Sequence, residues 1–295
     1  MKLAVFADIH TNYHAFKACF ERAKQEKAEG FILLGDYITD MAYPGRTMDL
    51  VYKIKNTYPC HIVRGNREAY ILAHHAGREN FLPGSNTGSL YYTYQNLREA
   101  DIAFIQSLPY AAKIRIDGAR IAIAHSTFES DRFYFDPSRP SMQEAFAKMP
   151  EKVLLTGHSH IQYAAQRGGK TIINPGSVGY ATNVKARAQF AMLDVEKGRM
   201  DWEMFSIPYD LRATIEDQFE SGLVDCAHYW ALSILNTLLM GKNMAMAVLK
   251  RAEAYRDAGE DMTTEEVWQK ASEDAGLILE KDKLIRMCQE VCMND

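Results

Sequence analysis

The chain has 295 residues, enough to bury a substantial core without disulfide staples, as one large domain or as a domain with a smaller appendage. Its 34 basic and 38 acidic residues leave a formal charge of −4, so composition makes no global case for nucleic-acid or anionic-membrane binding. Five scattered cysteines (Cys19, Cys60, Cys226, Cys288, Cys292) without a C-x-x-C pair read as reduced core filler; with no leader-like stretch and no apolar run near the ~18 residues of a membrane span, a cytoplasmic protein without membrane association is expected.

Lys2–Ala7 is a short apolar run that ends at polar Asp8 and His10, a buried strand with function at its carboxyl end. Residues 14–29 have helical spacing, with Ala15, Cys19 and Ala23 on one stripe and Gly30 as the stop. Phe31–Leu34 is a second strand ending at Gly35-Asp36. Arg46–Asn56 reads as helix, Cys60–Val63 as a third strand ending at Arg64-Gly65-Asn66, and residues 67–76 as the next helix. This alternation is the pattern of an α/β fold. In an open α/β sheet the ligand crevice lies beyond the carboxyl ends of the strands, so the clusters D-x-H, G-D and G-N should meet on one edge.

The pattern then changes. Ala112–Ile116 and Arg120–Ala124, joined at Asp117-Gly118, predict a hairpin ending at His125-Ser126. Residues 128–142 are aromatic, charged and proline-interrupted, a loop over the site in which Arg132, Arg139 and Phe133–Phe135 compete between lining an access channel and packing on the surface. A short helix near 142–148 precedes Val153–Thr156 and the tetrapeptide Gly157-His158-Ser159-His160. A pair of strands around Arg167-Gly168-Gly169 leads into Asn174-Pro175-Gly176-Ser177, and residues 187–195 and 199–207 form a last hairpin. The first sheet is expected to be chiefly α/β and the second mainly hairpins. After Pro208, residues 211–221, 226–239, 243–257, 263–275 and 282–292 carry helical patterns. The expected division is therefore a domain over 1–208 and an all-helical extension over 209–295 that closes the site, mediates a homodimer or completes the domain.

The strand-end residues Asp8, His10, Asp36, Asn66, His125, His158 and His160 offer oxygen and imidazole donors without thiolates, a set suited to Mn, Fe, Ni, Co or Zn. The alternation of Asp8 with His10 and of His158 with His160 would bring each pair to one side of an extended segment. Two such pairs exceed the needs of one four-coordinate ion, whereas two divalent ions use the inventory well. Two divalent ions and two aspartates leave roughly +2, a charge that attracts a phosphoryl group.

The ordered set Asp8-x-His10, Gly35-Asp36, Gly65-Asn66-x-Glu68, His125 and Gly157-His158-x-His160 resembles the calcineurin-like metallophosphoesterase superfamily over about residues 1–208, in particular its small bacterial and archaeal phosphodiesterases. The resemblance implies a four-layer α/β/β/α sandwich with a dinuclear centre. It assigns Asp8, His10, Asp36 and His160 to one ion, and Asp36, Asn66, His125 and His158 to the other, with Asp36 as the bridge. The implied activity is hydrolysis of a phosphodiester or nucleotide-type small molecule through metal-activated hydroxide, with Mn a suitable ion in vitro; Asp36, Asn66 and Arg67 form the catalytic set. A protein phosphatase and a dinucleoside polyphosphate hydrolase are alternatives within the class, and a catalytically silent metal-binding interaction module is the alternative outside it. Arg67 departs from the family, many members of which carry histidine there. Arginine can clamp phosphate but is a poor proton donor, which favours a diester or activated ester. Glu68 reads as structural, while Asn12, Asn174 and Ser177 stand evenly between local capping or turn roles and substrate or ligand support. His14, His61, His74, His75 and His228 fall outside the pattern.

Overall fold

The computed structural model describes residues 1–128 and 141–293; of the loop expected over the site, residues 129–140, Arg132, Phe133–Phe135 and Arg139 among them, lie outside the described residues, and its last two residues begin a helix. In chain order the elements are β1 (Lys2–Phe6), α1 (Tyr13–Gln25), β2 (Gly30–Leu33), α2 (Pro44–Thr57), β3 (Cys60–Ile62), α3 (Asn66–His75), α4 (Gly88–Gln95), α5 (Glu99–Ser107), β4 (Ala111–Ile116), β5 (Ala119–Ala124) and α6 (Ser141–Lys148). They continue with β6 (Val153–Leu155), β7 (Gln162–Arg167), β8 (Lys170–Pro175), β9 (Arg187–Glu196), β10 (Arg199–Pro208), α7 (Leu211–Glu220), α8 (Leu223–Met240), α9 (Met244–Asp257), α10 (Glu265–Asp274) and α11 (Lys281–Met293).

The strands form two five-stranded mixed sheets, ordered β10-β9-β1-β2-β3 and β4-β5-β6-β8-β7. Alternation along β1 explains how they stack. Leu3, Val5 and Ala7 join Ile121, Ile123, Leu155 and Ile173 between the sheets, while Ala4 and Phe6 face Phe16, Phe20 and Phe31 beneath α1. On the far face of the second sheet, Ala122, Leu154 and Ile172 meet Met142 and Phe146 of α6. Helices thus cover both outer faces, giving the α/β/β/α sandwich, with α7–α11 as an all-helical extension.

The β9–β10 hairpin joins the first sheet, where β9 pairs antiparallel with β1 (Leu3↔Leu193), rather than extending a second sheet made of hairpins. Its run Ala188–Leu193 is buried on both faces, as a central strand requires. Gly30 does not stop α1, which ends at Gln25; it opens β2 opposite Leu3, where a Cβ would lie 2.8 Å from both Leu3 and the Pro59 carbonyl. Pro44 starts α2 two residues earlier than expected, its fixed φ suiting a first helical turn. Helices α4 and α5 have no counterpart in the sequence-based assignment.

One helix does reach membrane-span length and apolarity, contrary to expectation: α8, with mean hydropathy 1.2 over 18 residues. Two-thirds of it (67%) is buried inside the molecule, where Leu232, Leu235 and Leu239 pack with Met41, Tyr92 and Tyr180 of the sandwich. The helix is broken at His228 (φ 40°, ψ −115°), and the Ser85 hydroxyl accepts the Tyr229 amide at 3.0 Å just beyond the break. The break sets the course of the second half, which begins with Tyr229 and Trp230.

Candidate metal centre

The carboxyl ends of β1, β2, β3, β5 and β6 meet at one edge of the sandwich, and polar residues follow each of them: Asp8 and His10, Asp36, Asn66, His125, and His158 and His160. Asp8, His10, Asp36, His158 and His160 all lie beyond their strands with φ between 47° and 65°. The chain is therefore not extended there, as alternation had suggested, but turns left-handed at each residue. Aspartate and histidine tolerate that region better than most residues, and such strain concentrates at functional sites. Close backbone approach completes the loops. A Cβ on Gly157 would lie 2.8 Å from Asp8 Oδ2 and 2.9 Å from the Ala7 side chain. Glu68, fully buried, gathers the amides of Gly65 (2.7 Å), Asp36 (2.9 Å) and Tyr37 (2.8 Å), tying the second and third loops together.

Two clusters of potential ligands result: Asp8, His10 and His160, and Asp36, His125 and His158. His10 Nε2 lies 3.2 Å from His160 Nε2 and 3.6 Å from Asp36 Oδ2, and His160 Nε2 lies 3.4 Å from Asp8 Oδ1. In the second cluster, His125 Nε2 lies 3.3 Å from Asp36 Oδ2, 3.0 Å from Asn66 Oδ1 and 3.2 Å from His158 Nδ1. Asp36 Oδ2 faces both clusters, while its Oδ1 accepts the Arg67 amide at 2.8 Å.

These separations fit divalent metal ions, since bonds of about 2.1 Å place neighbouring ligand atoms roughly 3.0–3.5 Å apart. The second nitrogens fit as well. His125 Nδ1 donates to the Leu34 carbonyl (2.8 Å) and His160 Nδ1 to the Tyr180 carbonyl (2.9 Å), so in the neutral rings each Nε2 keeps its lone pair. His10 Nδ1 lies 3.1 Å from Asp40 Oδ2, but off the line of a well-directed hydrogen bond. His10 can therefore present Nε2 to His160 Nε2 at 3.2 Å either as an N–H donor or, in the other tautomer, as a second lone pair toward a shared cation.

Without a metal, buried protons must balance the cluster. Burial, reinforced by Asp36, pushes the Asp8 carboxyl up to about 8 against the pull of His125. Burial likewise raises Glu68 to about 7, again helped by Asp36. For His125 burial acts downward, but Asp36 and Asp8 outweigh it and push the imidazole up to about 10. Burial would raise Asp36, yet His125, His10 and Arg67 hold its carboxyl below the usual range. Burial and neighbouring His10 draw His160 well below the ordinary histidine value.

The remaining expected site residues sit behind or beside these clusters. Asn12 caps α1 by accepting the Ala15 amide (3.2 Å) and donates to the Gly179 carbonyl (2.7 Å). Asn174 donates to the Gly157 carbonyl (2.7 Å) and Ser159 (3.0 Å), and Ser177 donates to the Asp8 carbonyl (2.8 Å), so both brace the ligand loops. None of the three is among the residues lining the cleft, whereas Arg67 is.

Asp40, which the sequence leaves open between extending the Gly35-Asp36 motif and starting a loop, is a junction behind the clusters. This fully buried carboxylate accepts the Trp230 indole N–H (2.8 Å) and the Ser89 hydroxyl (3.0 Å) on Oδ1, and faces Arg67 Nη2 (3.1 Å) and His10 Nδ1 (3.1 Å) with Oδ2. The available signal was a second acid four residues after Asp36, set among the bulky residues Tyr37, Ile38 and Met41. The ring of Tyr180 packs on His10 (4.6 Å) and His160 (4.3 Å). A cleft of about 760 Å³ opens above the clusters, and its opposite wall is Trp230 from α8 and residues of α9.

The family signature described as "Calcineurin-like phosphoesterase superfamily domain" matches residues 1–198. The chain belongs to this superfamily. It is 24% identical over 238 residues to an uncharacterised protein of Methanocaldococcus jannaschii, covering 72% of this chain and 90% of the relative. Among solved structures, a hypothetical protein from Pyrococcus horikoshii OT3 superposes with a TM-score of 0.67 at 18% identity, covering 75% of this chain and 94% of that one. A metallophosphoesterase from Sphaerobacter thermophilus gives 0.62 at 19% identity, covering 75% and 95%. As a superfamily member, the chain carries two Asp/His clusters consistent with a dinuclear divalent-metal site of hydrolase type.

Proposed function

We propose that the protein is a dinuclear-metal-dependent phosphoesterase acting on a phosphodiester or nucleotide-type substrate. The observation that carries this reading is the convergence of both clusters on Asp36 Oδ2, 3.6 Å from His10 Nε2 and 3.3 Å from His125 Nε2. In this reading Asp8, His10, Asp36 and His160 would hold one ion, and Asp36, Asn66, His125 and His158 would hold the other, with Asp36 shared between them. When bound, two divalent ions supply Lewis-acid polarisation of a phosphoryl oxygen and acidify water toward neutral pH.

The chain's own groups do the rest. The carbonyls of Leu34 and Tyr180 fix the tautomers of His125 and His160, so that both present Nε2 toward the clusters. Arg67 reaches the cleft while ion-paired to Asp40, a placement suited to gripping a phosphate oxygen. Burial would weaken its hold on the proton, but Asp40, Tyr180 and Asp36 strengthen it further, so Arg67 does not protonate a leaving group. That favours diesters and esters of acidic alcohols, whose leaving groups depart without a donor at this position.

The test is turnover of bis(p-nitrophenyl) phosphate and p-nitrophenyl phosphate by metal-stripped protein reconstituted with Mn²⁺, Ni²⁺ or Zn²⁺. Diester turnover that needs metal and collapses in Asp36→Asn is the expected result. Dominant monoester turnover would overturn the substrate preference, and two bound ions with no turnover of either ester would favour a binding module.

A further inference from the structure

The face of α9 toward the metal clusters carries Met246, Ala247, Lys250 and Arg251, spaced as one helical stripe. The opposite stripe is committed to packing, since Val248 and Ala252 are fully buried against Val267, Trp268 and Ala271 of α10. The helix is thereby fixed in rotation, and its two adjacent cations are held over the cleft. Among the described residues neither has a carboxylate partner; Arg251 donates to the Ala247 carbonyl of its own helix (3.0 Å), and Lys250 is exposed. Among the described residues lining the cleft, Asp36 is the one carboxylate, and it belongs to the ligand clusters.

Among the described residues, this pair of cations facing a metal site meets no carboxylate, and Arg251 bonds to its own helix. Helix packing does not require them, and like charges one residue apart repel. They are placed to meet negative charge that arrives with a ligand. Arg67 and the metal clusters occupy the floor of the same cleft, so the scissile phosphate is provided for there. The cations on the opposite wall can then face the rest of the substrate. The 760 Å³ volume far exceeds what one phosphate needs, and Trp230 and Met246 give that wall an apolar surface beside the charges.

We infer that Lys250 and Arg251 form a second anion subsite, and that the substrate is a phosphate ester bearing a further phosphate group, of the nucleoside bisphosphate or polyphosphate class. This deepens the phosphoesterase reading and rests on it for the position of the scissile phosphate. The helical extension would then select the substrate, while the sandwich carries the chemistry.

The decisive measurement is calorimetric binding of thymidine 3′,5′-bisphosphate, thymidine 5′-triphosphate and thymidine 5′-monophosphate to the Mn²⁺-loaded Asp36-containing protein. One well-formed charge-assisted contact predicts about tenfold tighter binding of at least one multiply phosphorylated probe. That preference should fall to about onefold in Lys250→Gln/Arg251→Gln and return in Lys250→Arg with Arg251 intact. Because Arg251 is half-buried, Lys250→Gln alone serves as the second variant, with a partial fall expected. Equal affinity for all three probes, or a preference that survives the double substitution, would overturn the subsite. The two readings fail separately: diester turnover without a phosphate preference refutes the subsite alone. A preference that vanishes in the double variant, in a protein that hydrolyses neither p-nitrophenyl ester, supports the subsite and refutes the esterase.

Discussion

Replacing Asp40 with asparagine is the sharpest test of how the centre is supported. The carboxylate is fully buried and Arg67 is 18% exposed, so the substitution strips a nearly buried guanidinium of its counter-charge. One asparagine oxygen could still accept from Trp230 and Ser89, but the amide NH₂ would then point donors at Arg67 and His10. Removing one partner of a buried pair costs about 3–5 kcal/mol, and the residual exposure of Arg67 places this case near 3 kcal/mol. For a large domain that corresponds to a fall of roughly 6–12 °C in Tm. With His10 holding an ion as proposed, loss of the carboxylate beside it should also weaken metal binding by about 10- to 100-fold. Thermal unfolding of metal-free protein and competition titration of Mn²⁺ against a fluorescent chelator measure the two effects. Asp217→Asn is the contrast, because Asp217, unlike Asp40, keeps contact with solvent and shares its charge between His14 (3.0 Å) and exposed Arg46 (3.4 Å); its loss should stay below about 1 kcal/mol. Asp40→Asn with unchanged Tm and unchanged Mn²⁺ affinity would refute the argument.

Gly157→Ala drives a methyl into Asp8 and should lower stability by about 1–3 kcal/mol and reduce metal occupancy, read by calorimetry and metal analysis. Metal-free protein should lose stability as pH rises from about 6.5 to 9. Asp8 (about 8), Glu68 (about 7) and His125 (about 10) all have folded values above their unfolded ones, so the native state holds more protons in that window. Lowered Asp36 and His160 act below it, and added Mn²⁺ should flatten the decline; a rise in metal-free Tm over that interval would contradict the proton balance. A chain ending at Pro208 would expose Met41, Tyr92 and Tyr180, and should bind a hydrophobic dye and self-associate on gel filtration; a monodisperse, cooperatively unfolding fragment would instead make residues 1–208 an independent unit.

What could be read from the sequence was what short-range pattern encodes. Strand runs such as Ala4–Phe6 and Ile121–Ala124 are continuous apolar segments, and the polar residues that follow them announce the functional edge. Asp117-Gly118 marked its hairpin, and five helical patterns after Pro208 correspond to α7–α11. Other features depend on contacts across long separations. Nothing local tells β9 to pair with β1, 190 residues away in register at Leu3 and Leu193, or places Trp230 against Asp40. Helix α4 (GSLYYTYQ) lacks both a capping side chain and a clear amphipathic stripe, and gains its burial from α8. The left-handed turns at Asp8, His10, Asp36, His158 and His160 are equally invisible to alternation, which describes extended chain only.

The hydrogen bond from Trp230 to Asp40 gives the protein an intrinsic optical gauge of its own centre. Indole emission responds to the charge and polarity around Nε1, and here that atom donates to the carboxylate that faces His10. Of three tryptophans, Trp202 lies on β10, away from the cleft, and Trp268, on α10, is buried against α9 with its ring 6.3 Å from that of Trp230. A change of charge at the clusters should therefore be reported, without a label, by Trp230 together with the Trp268 ring it touches, and Trp230→Phe would remove the indole that is bonded to Asp40.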